Sequence, residues 1–325
     1  MTTLDQYLKS FEKFMGEHPF QGTPASLYES ANYLMQLGGK RLRPAMVLMG
    51  CDAFKNSYET ALPAAMAIEV FHNFTLVHDD IMDAAPLRRG KPTVHIKYNE
   101  PSAILCGDMM MFKSVMFLQM LPEKHLQEVL TVFNKTAIEV CEGQQLDMLF
   151  ETRNDVSIDE YLHMIALKTS VLLGCSLKIG ALVGGASNAE AERLYEFGKN
   201  LGIAFQLHDD ILDAFAEDAE AFGKQVGGDI LSNKKTYLLI TAMKQANENQ
   251  QTEITHWISQ KNFDNDKKVN AMKSLFEATG ARAAAEEEQQ RYYTKALASL
   301  SETSLPDDTK KVFESFADMV MKRTK

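Results

Sequence analysis

The stretch from Phe71 to Asp83 reads FHNFTLVHDDIMD, and the stretch from Phe205 to Asp213 reads FQLHDDILD. Each contains the pattern HDDIxD, which places three carboxylates in five positions inside an otherwise apolar run. Clustered like charges repel one another, so each cluster requires a cationic partner. Two such clusters on opposite elements of one core would form a cage for hard cations, and Mg²⁺ bridging carboxylates and phosphate oxygens is the natural occupant.

The aspartates of both copies have helical spacing. The first and last aspartate of each triplet share one face of a helix, whereas the middle one turns away by about 100°. A solvated acidic turn would account for one lone copy, but two near-identical copies within apolar runs favour a site. The aspartates that share a face are Asp79 with Asp83 and Asp209 with Asp213, and the middle ones are Asp80 and Asp210. Helical spacing also places His72 on the first face and Gln206 on the second.

Most of the remaining sequence also has helical periodicity. Apolar residues recur at three- and four-residue spacing, as in Ala64, Ile68 and Phe71, which is typical of amphipathic helices. Strictly alternating runs are scarce, and no Gly/Ser-rich or Pro-rich linker divides the chain. The sequence therefore predicts an all-α fold with a single domain over 1–325 and long helices over 131–150, 158–183 and 190–215.

Composition narrows the class of protein. The chain has 325 residues and a net charge of -10, and this acidic balance argues against nucleic-acid binding. The four cysteines form no CxxC pair, so neither a zinc site nor a disulfide framework is expected. We find no signal peptide and no window of about 18 uncharged apolar residues. The sequence predicts a cytoplasmic protein without a transmembrane segment.

A phosphorylated ligand would also need cations, and three basic clusters lie near the acidic motifs. They are GGKRLRP at 38–44, RRGK at 88–91, and the lysines Lys224, Lys234 and Lys235. Arginine suits bidentate phosphate contact and lysine acts as a point charge. Each cluster alone would pass for solvated surface, but their positions beside the acidic motifs favour anion binding. Lys168 lies within the apolar run 165–173, where a lysine requires a partner.

Together these motifs resemble the trans-isoprenyl diphosphate synthases, the polyprenyl synthetase family, and especially its short-chain members that make farnesyl and geranylgeranyl diphosphate. The resemblance is collinear. It rests on GGKRLRP (38–44), FHNFTLVHDDIMD (71–83), RRGKPTVH (88–95), GD (107–108), EGQQLD (142–147), KT (168–169), FQLHDDILD (205–213), GK (223–224) and NKKTY (233–237).

The resemblance implies a helical bundle around a deep central cavity, usually in a homodimer. The implied reaction is a head-to-tail condensation of isopentenyl diphosphate with an allylic diphosphate (dimethylallyl, geranyl or farnesyl). It proceeds by ionisation, condensation and elimination, with three Mg²⁺ ions per active site as the implied cofactors. Arg88, Lys168 and Lys234 would assist departure of the diphosphate.

Matching positions imply a role for each motif residue. Direct Mg²⁺ ligands would be Asp79, Asp83 and Asp209, supported by Asp80, Asp210 and Asp213. Isopentenyl diphosphate would be held by Lys40, Arg43, His72 and Arg89. The allylic diphosphate would be held by Arg88, Gln144, Lys168, Thr169, Gln206, Lys224 and Lys234.

Product length is assigned to Phe74 and Thr75. In the family, residues just upstream of the first aspartate motif form the floor of the product pocket. Phe74 lies five residues before Asp79, which is about 7.5 Å along a helix. One aromatic residue with a smaller neighbour resembles a C15–C20 enzyme, and geranylgeranyl diphosphate is favoured over farnesyl. An ideal helix points Thr75 along the aspartate face, so plain core packing of Phe74 stays open.

Three other functions remain as alternatives. A longer-chain polyprenyl diphosphate synthase would share every motif except the product floor. A class I terpene cyclase usually has a mixed Asn/Ser/Glu pattern at its second metal site, whereas this chain has DDILD at 209–213. A non-catalytic synthase subunit tends to lose its acidic motifs, and both are intact here.

Overall fold

The computed structural model of the protein describes residues 2–54, 57–216 and 226–322, and within these ranges it confirms the predicted all-α fold. The helices are α1 (Leu4–Glu17), α2 (Ala25–Gln36), α3 (Leu42–Asp52), a 3-10 turn (Tyr58–Ala61), α4 (Leu62–Met82), α5 (Val94–Lys97), α6 (Glu100–Leu118), α7 (Glu123–Thr152), α8 (Ile158–Ile165), a π-helical turn (Ala166–Ser170), α9 (Val171–Gly184), α10 (Asn188–Phe215), α11 (Gly228–Leu231), α12 (Tyr237–Gln245), α13 (Glu248–Ser259), α14 (Asn265–Ala278), α15 (Ala281–Ser301) and α16 (Asp307–Met321).

Local sequence signals fix several of these helix ends. Thr3 and Ser157 each begin a helix with a capping box, in which the hydroxyl accepts from a backbone N–H three residues later. Such a box satisfies two backbone donors that a helix would otherwise leave open. The predicted helix over 158–183 has the expected extent, but the π-helical turn Ala166–Ser170 divides it.

A short hairpin that the sequence analysis did not predict follows α4. Strand β1 (Leu87–Arg88) pairs antiparallel with β2 (Lys91–Pro92). The two turn residues, Arg89 and Gly90, have φ values of 53° and 72°. Positive φ at both positions is the type I′ turn that two-residue hairpins favour. The hairpin therefore presents Arg88 and Arg89 next to the end of the aspartate helix.

The chain forms two compact units. Unit 1 comprises Met1–Lys135 and Cys175–Tyr195, and unit 2 comprises Thr136–Gly174 and Glu196–Lys325. Unit 1 contains α4 with the first HDDIxD copy, and unit 2 contains the end of α10 with the second. Each unit has its own buried apolar residues, such as Phe71 in unit 1 and Leu207 in unit 2. A single domain over 1–325 stays a prediction.

Three helical stretches are long and apolar enough to cross a membrane, judged by length and composition alone. They are Tyr58–Met82, Glu100–Leu118 and Ile158–Gly184, and the shares of their apolar windows that are buried inside the protein are 61%, 39% and 83%. Each stretch contains charged residues, among them Glu69, Asp108 and Lys168, so none of them is an uncharged window of the kind sought in the sequence. Burial accounts for the apolar character of the first and third, and the absence of a transmembrane segment stays a prediction.

Candidate active site

The first aspartate cluster lies at the end of α4 and has a cationic partner. Arg88 Nε lies 2.8 Å from Asp80 Oδ2, and Arg88 Nη2 lies 2.6 Å from Asp80 Oδ1, which is a two-pronged ion pair. Asp80 is 1% exposed. Arg88 Nη2 is also 3.8 Å from Asp79 Oδ2, and Asp83 ends the helix as its C-cap. Charge-assisted forks of this kind are strong, so the counter-charge that the motif requires is Arg88.

Three of the residues predicted to hold isopentenyl diphosphate meet in unit 1. Arg43 Nη1 lies 3.2 Å from His72 Nε2, and Arg89 donates to the carbonyl oxygen of Gly38. The guanidinium of Arg89 also lies against Gly39, where a Cβ would be 2.8 Å from its nitrogen atoms. The fourth predicted residue is Lys40, which is exposed on the same loop. We call Arg43, His72 and Arg89 the cationic corner.

The electrostatics of the cationic corner favour an anion. Burial lowers the pKa of His72 well below its usual value, and the positive charges of Arg43 and Arg89 lower it further. Burial also lowers the pKa of Arg43 to about 10, with Glu69 acting in the opposite direction. Burial and nearby cations likewise lower the pKa of Arg89. A group whose charged form is disfavoured in this way gains most from a bound anion.

Arg41, the remaining cation of the GGKRLRP loop, has a structural partner. Arg41 is buried and donates to Glu69 and to the carbonyl oxygen of Met35. Asn73 Nδ2 donates to the same Glu69 carboxylate at 2.9 Å. Arg41 has a left-handed backbone with φ 49°, which is uncommon for a residue other than glycine. This buried pair fixes the loop. The residues predicted to hold isopentenyl diphosphate include Lys40 and Arg43 but not Arg41.

Phe74 and Thr75 point to different partners on α4. The ring of Phe74 is half-buried, with its centroid 5.5 Å from that of Phe71 and 4.9 Å from that of His78. The hydroxyl of Thr75 donates to the carbonyl oxygen of His72 at 2.8 Å, so it is turned back onto its own helix. Phe74 is therefore held between two rings of the helix that carries the first aspartates.

The second aspartate cluster uses a different kind of partner. Asp210 is 5% exposed and accepts hydrogen bonds from the hydroxyl of Tyr161 and from Gln206 Nε2, the latter at 3.3 Å. Burial and the charge of Asp229 raise the pKa of Asp210 to about 7. Asp213 Oδ2 accepts from the backbone N–H of Asp229 at 3.0 Å. The middle aspartate of each copy is thus buried and hydrogen-bonded to another side chain, which is the guanidinium of Arg88 for Asp80 and the phenol of Tyr161 for Asp210.

Lys168 has the partner that its apolar surroundings require. Its Nζ lies 2.6 Å from Asp147 Oδ2, and the residue belongs to the π-helical turn. Turns of this type are frequent at functional sites. Gly143 on α7 permits the close approach, because a Cβ there would be 2.7 Å from Lys168 Cα. Asp147 was not among the predicted site residues, although it lies four residues after Gly143 in EGQQLD and so on the same side of α7.

The other residues predicted for the allylic diphosphate also fall in unit 2, apart from Arg88. Gln144 on α7 and Thr169 in the π-helical turn are half-buried, as is Asp209 on α10, which was predicted as a Mg²⁺ ligand. Lys234 is exposed in the loop after α11, and its backbone N–H donates to the carbonyl oxygen of Asp229 at 2.9 Å. Lys224 lies outside the described residues.

Among the described residues, no three or more His, Cys, Asp or Glu side chains converge closely enough to hold a metal ion on their own. The donors that the motifs supply are carboxylate oxygens, and these are the hard ligands that Mg²⁺ prefers. Mg²⁺ commonly takes one or two carboxylates together with substrate phosphates. The donor set of each cluster therefore fits a magnesium ion that a phosphorylated ligand would share.

Comparison with known proteins identifies the family. A family model for polyprenyl synthetase matches residues 24–276. A geranylgeranyl diphosphate synthase of Methanosarcina mazei is 46% identical over 223 residues, which cover 68% of this chain and 68% of that protein. A geranylfarnesyl diphosphate synthase of Aeropyrum pernix is 35% identical over 330 residues and 99% of each chain.

Solved structures agree with the sequence matches. A crystal structure of a geranylgeranyl pyrophosphate synthase has a TM-score of 0.95 and 44% identity over 100% of both chains. A second, from Corynebacterium glutamicum and complexed with calcium and isoprenyl diphosphate, has a TM-score of 0.83 and 27% identity, and covers 99% of this chain and 96% of that one.

The fold and these matches define an all-α isoprenyl diphosphate synthase, which is a trans-prenyltransferase. The chain belongs to the polyprenyl synthetase family. This confirms the class of enzyme and the fold that the sequence motifs indicated.

Proposed function

We propose that this enzyme condenses isopentenyl diphosphate with an allylic diphosphate to make geranylgeranyl diphosphate. The observation that carries the proposal is the cationic corner of Arg43, His72 and Arg89. A cyclase ionises one diphosphate and has no use for a second binding site of this kind. A condensing enzyme needs one, because two diphosphates must be held at once.

In the proposed reaction the chain's own residues bind, orient and neutralise. Arg43, Arg89 and Lys40 hold the diphosphate of isopentenyl diphosphate. The imidazole of His72 is neutral near pH 7, because its pKa is lowered. It accepts from Arg43 through one nitrogen and offers the other to the ligand. Lys168 and Lys234 of unit 2 donate to the oxygens of the allylic diphosphate, and the family resemblance assigns Arg88 to the same ligand.

As the allylic C–O bond breaks, negative charge grows on the departing diphosphate, and fixed donors stabilise it. Asp79, Asp83 and Asp209 are the residues that the family resemblance assigns to Mg²⁺, and the metal would supply Lewis-acid neutralisation of the same charge. The double bond of isopentenyl diphosphate attacks the allylic carbon, and the proton that is then lost goes to the released diphosphate. The alkene is the nucleophile in this reaction, so no side chain of the enzyme has to act as one.

Product length is the finer part of the proposal. Phe74 is the residue that the family resemblance assigns to the pocket floor, and its ring packs against those of Phe71 and His78. Among the relatives, the protein from Methanosarcina mazei is named for the C20 product and that from Aeropyrum pernix for the C25 product. The higher identity of the former supports C20, and a longer product is the second candidate.

We expect the purified protein with Mg²⁺ and isopentenyl diphosphate to convert dimethylallyl, geranyl and farnesyl diphosphate mainly to geranylgeranyl diphosphate. Chromatography of the dephosphorylated products measures this directly. Omission of isopentenyl diphosphate is the control, and hydrocarbon formed without it would point to a cyclase. Inactivity of the isolated chain towards all three starters would instead indicate a non-catalytic subunit.

We also propose that the enzyme is a homodimer and that α6 contributes to its interface. Leu105, Phe112 and Met116 are 59%, 73% and 54% exposed, and their spacing places them on one side of the helix. Large apolar side chains gathered at the surface mark interaction sites. A second copy of this chain is the partner that the family resemblance implies. A cytoplasmic location stays a prediction.

Phe112→Glu is expected to convert the dimer to a monomer, because a carboxylate buried against a second apolar face pays a large desolvation penalty. Sedimentation equilibrium of the wild type and the variant measures the mass. Met319→Glu is the matched control, since Met319 is 42% exposed on α16 of unit 2. A monomeric wild type, or a dimer that survives Phe112→Glu, would contradict this interface.

A further inference from the structure

A fully buried lysine lies in unit 2, outside every motif that the family resemblance uses. Lys268 on α14 is 0% exposed, and burial lowers its pKa. Its Nζ donates to Asn233 Oδ1 at 2.7 Å and to the carbonyl oxygen of Leu231 at 3.4 Å, and it lies 4.1 Å from the ring centroid of Phe263. Within the described ranges no carboxylate pairs with it. Lysine is almost never fully buried unless it is paired.

The two hydrogen-bond acceptors of Lys268 belong to the loop that carries Lys234. Leu231 ends α11, and Asn233 has a left-handed backbone with φ 56°. Asn233 is held twice, since its Nδ2 donates to the carbonyl oxygen of Ile258 at 3.2 Å while its Oδ1 accepts from Lys268. The side-chain amide of Asn233 therefore ties the loop to two helices, α13 and α14, directly before Lys234.

Lys234 directly follows Asn233, and its backbone is hydrogen-bonded on both sides. Its backbone N–H donates to the carbonyl oxygen of Asp229, and its own carbonyl oxygen accepts from Thr236 N–H at 2.9 Å. Its side chain is exposed. A long exposed lysine on a flexible loop would sample many directions, and ordering it on binding lowers affinity. A loop that is fixed in advance removes part of that penalty.

We propose that Lys268 is a positioning residue, which fixes the 231–235 loop through Asn233 and so presents Lys234 to the allylic diphosphate. The inference rests on the proposed role of Lys234. The buried charge of Lys268 strengthens its hydrogen bonds to neutral oxygens, because hydrogen bonds from an ionised donor are about twice as strong as neutral ones. An uncharged side chain of similar length would fill the same space without holding Asn233.

Lys268→Met tests this role, because it keeps the length of the side chain and removes the donor. We expect KM for the allylic diphosphate to rise about tenfold, which corresponds to the loss of one well-placed interaction. We expect KM for isopentenyl diphosphate to change less than about twofold, since that ligand is assigned to unit 1. Lys267→Met on the same helix is the matched control, because the side chain of Lys267 is 76% exposed.

A double-mutant cycle separates positioning from a purely structural role. Lys268→Met should have little further effect on the allylic KM in a Lys234→Ala background. An equal factor in both backgrounds would overturn the inference. If Lys234→Ala alone left the allylic KM unchanged, the proposed role of Lys234 would fail instead, so the two failures are distinguishable.

Asn233→Gly provides a second variant, which breaks the same contact from the loop side. Glycine tolerates the positive φ of this position, and the change removes the oxygen that accepts from Lys268 together with the amide that donates to Ile258. We expect the same selective rise in the allylic KM. A normal KM in Asn233→Gly would contradict the proposal even if Lys268→Met did not fold.

Discussion

Asp79→Ala is expected to lower kcat by about three orders of magnitude or more, which corresponds to about 4 kcal/mol of lost transition-state stabilisation. The free energy of unfolding should change less than it does when the neighbouring Asp80 is replaced. Asp79 is half-buried, and its side chain lies 3.8 Å from Arg88 Nη2 rather than in direct hydrogen-bond contact. Asp80 makes the direct fork with Arg88, so that ion pair persists in the variant. What is lost is a carboxylate proposed to hold Mg²⁺ against the departing diphosphate.

Asp80→Ala provides the contrasting variant. It removes the fork and leaves Arg88 without its main counter-charge, in a site where the side chain of Arg88 is 22% exposed. Breaking such a pair is expected to destabilise the fold by about 2–3 kcal/mol, less than for a fully buried pair. Thermal unfolding and steady-state kinetics should therefore separate the two neighbouring aspartates, the first affecting turnover and the second also stability.

Asp308→Ala is the control for loss of an aspartate as such, because the side chain of Asp308 is 97% exposed. It should leave kcat and unfolding unchanged. Isothermal titration of Mg²⁺ in the presence of a non-reactive allylic diphosphate analogue adds a binding measurement. Near-normal turnover in Asp79→Ala would remove the basis for assigning metal binding to this cluster.

The helices were predictable because their signal is repeated over many residues. Apolar residues recur along α7 and α10 for several turns, so periodicity alone indicated both helices. The hairpin at 87–92 has strands of two residues, which are too short to establish any period. The π-helical turn was equally invisible, because it alters the hydrogen-bond register of Ala166–Ser170 without altering the apolar pattern.

The sequence predicted which residues belong to the candidate site, but not which of them pair with one another. The sequence indicated that each acidic cluster needed a counter-charge, yet only the structure shows that Asp80 uses Arg88 and that Asp210 uses Tyr161. Burial distinguishes these cases, and burial depends on distant parts of the chain. Lys268 lies more than thirty residues after the Asn233 that it holds, so no local pattern joins them.

The two HDDIxD copies therefore differ despite their near-identical sequences. The middle aspartate of the first copy forms a close fork with a permanent cation. That of the second accepts a hydrogen bond from a neutral phenol, and its pKa is raised to about 7 by burial and Asp229, with Lys234 acting in the opposite direction. The same helix as the first copy carries His72 and Phe74. We therefore propose that the two copies have different roles because their surroundings differ. The first lies beside the residues assigned to isopentenyl diphosphate, and the second lies beside those assigned to the allylic diphosphate.

Phe74→Ala is expected to change the main product from geranylgeranyl diphosphate to C25 and longer chains. The ring of Phe74 is braced by Phe71 and by His78, so it has little freedom to swing aside for a growing chain. Its removal opens a space about the size of the ring, and a further isoprene unit is apolar enough to fill it. The variant should lose about 1–3 kcal/mol of stability, less than for a fully buried phenylalanine.

Mass spectrometry of dephosphorylated products, at a fixed excess of isopentenyl diphosphate over farnesyl diphosphate, measures the shift. Phe74→Tyr keeps the ring and should keep the C20 product, while Thr75→Phe adds a second ring and should shorten the product towards C15. The ordered series is more decisive than any one variant, because simple destabilisation would lower the yield of all three without changing chain length in opposite directions. An unchanged distribution in Phe74→Ala would mean that another residue forms the floor and that Phe74 is ordinary core.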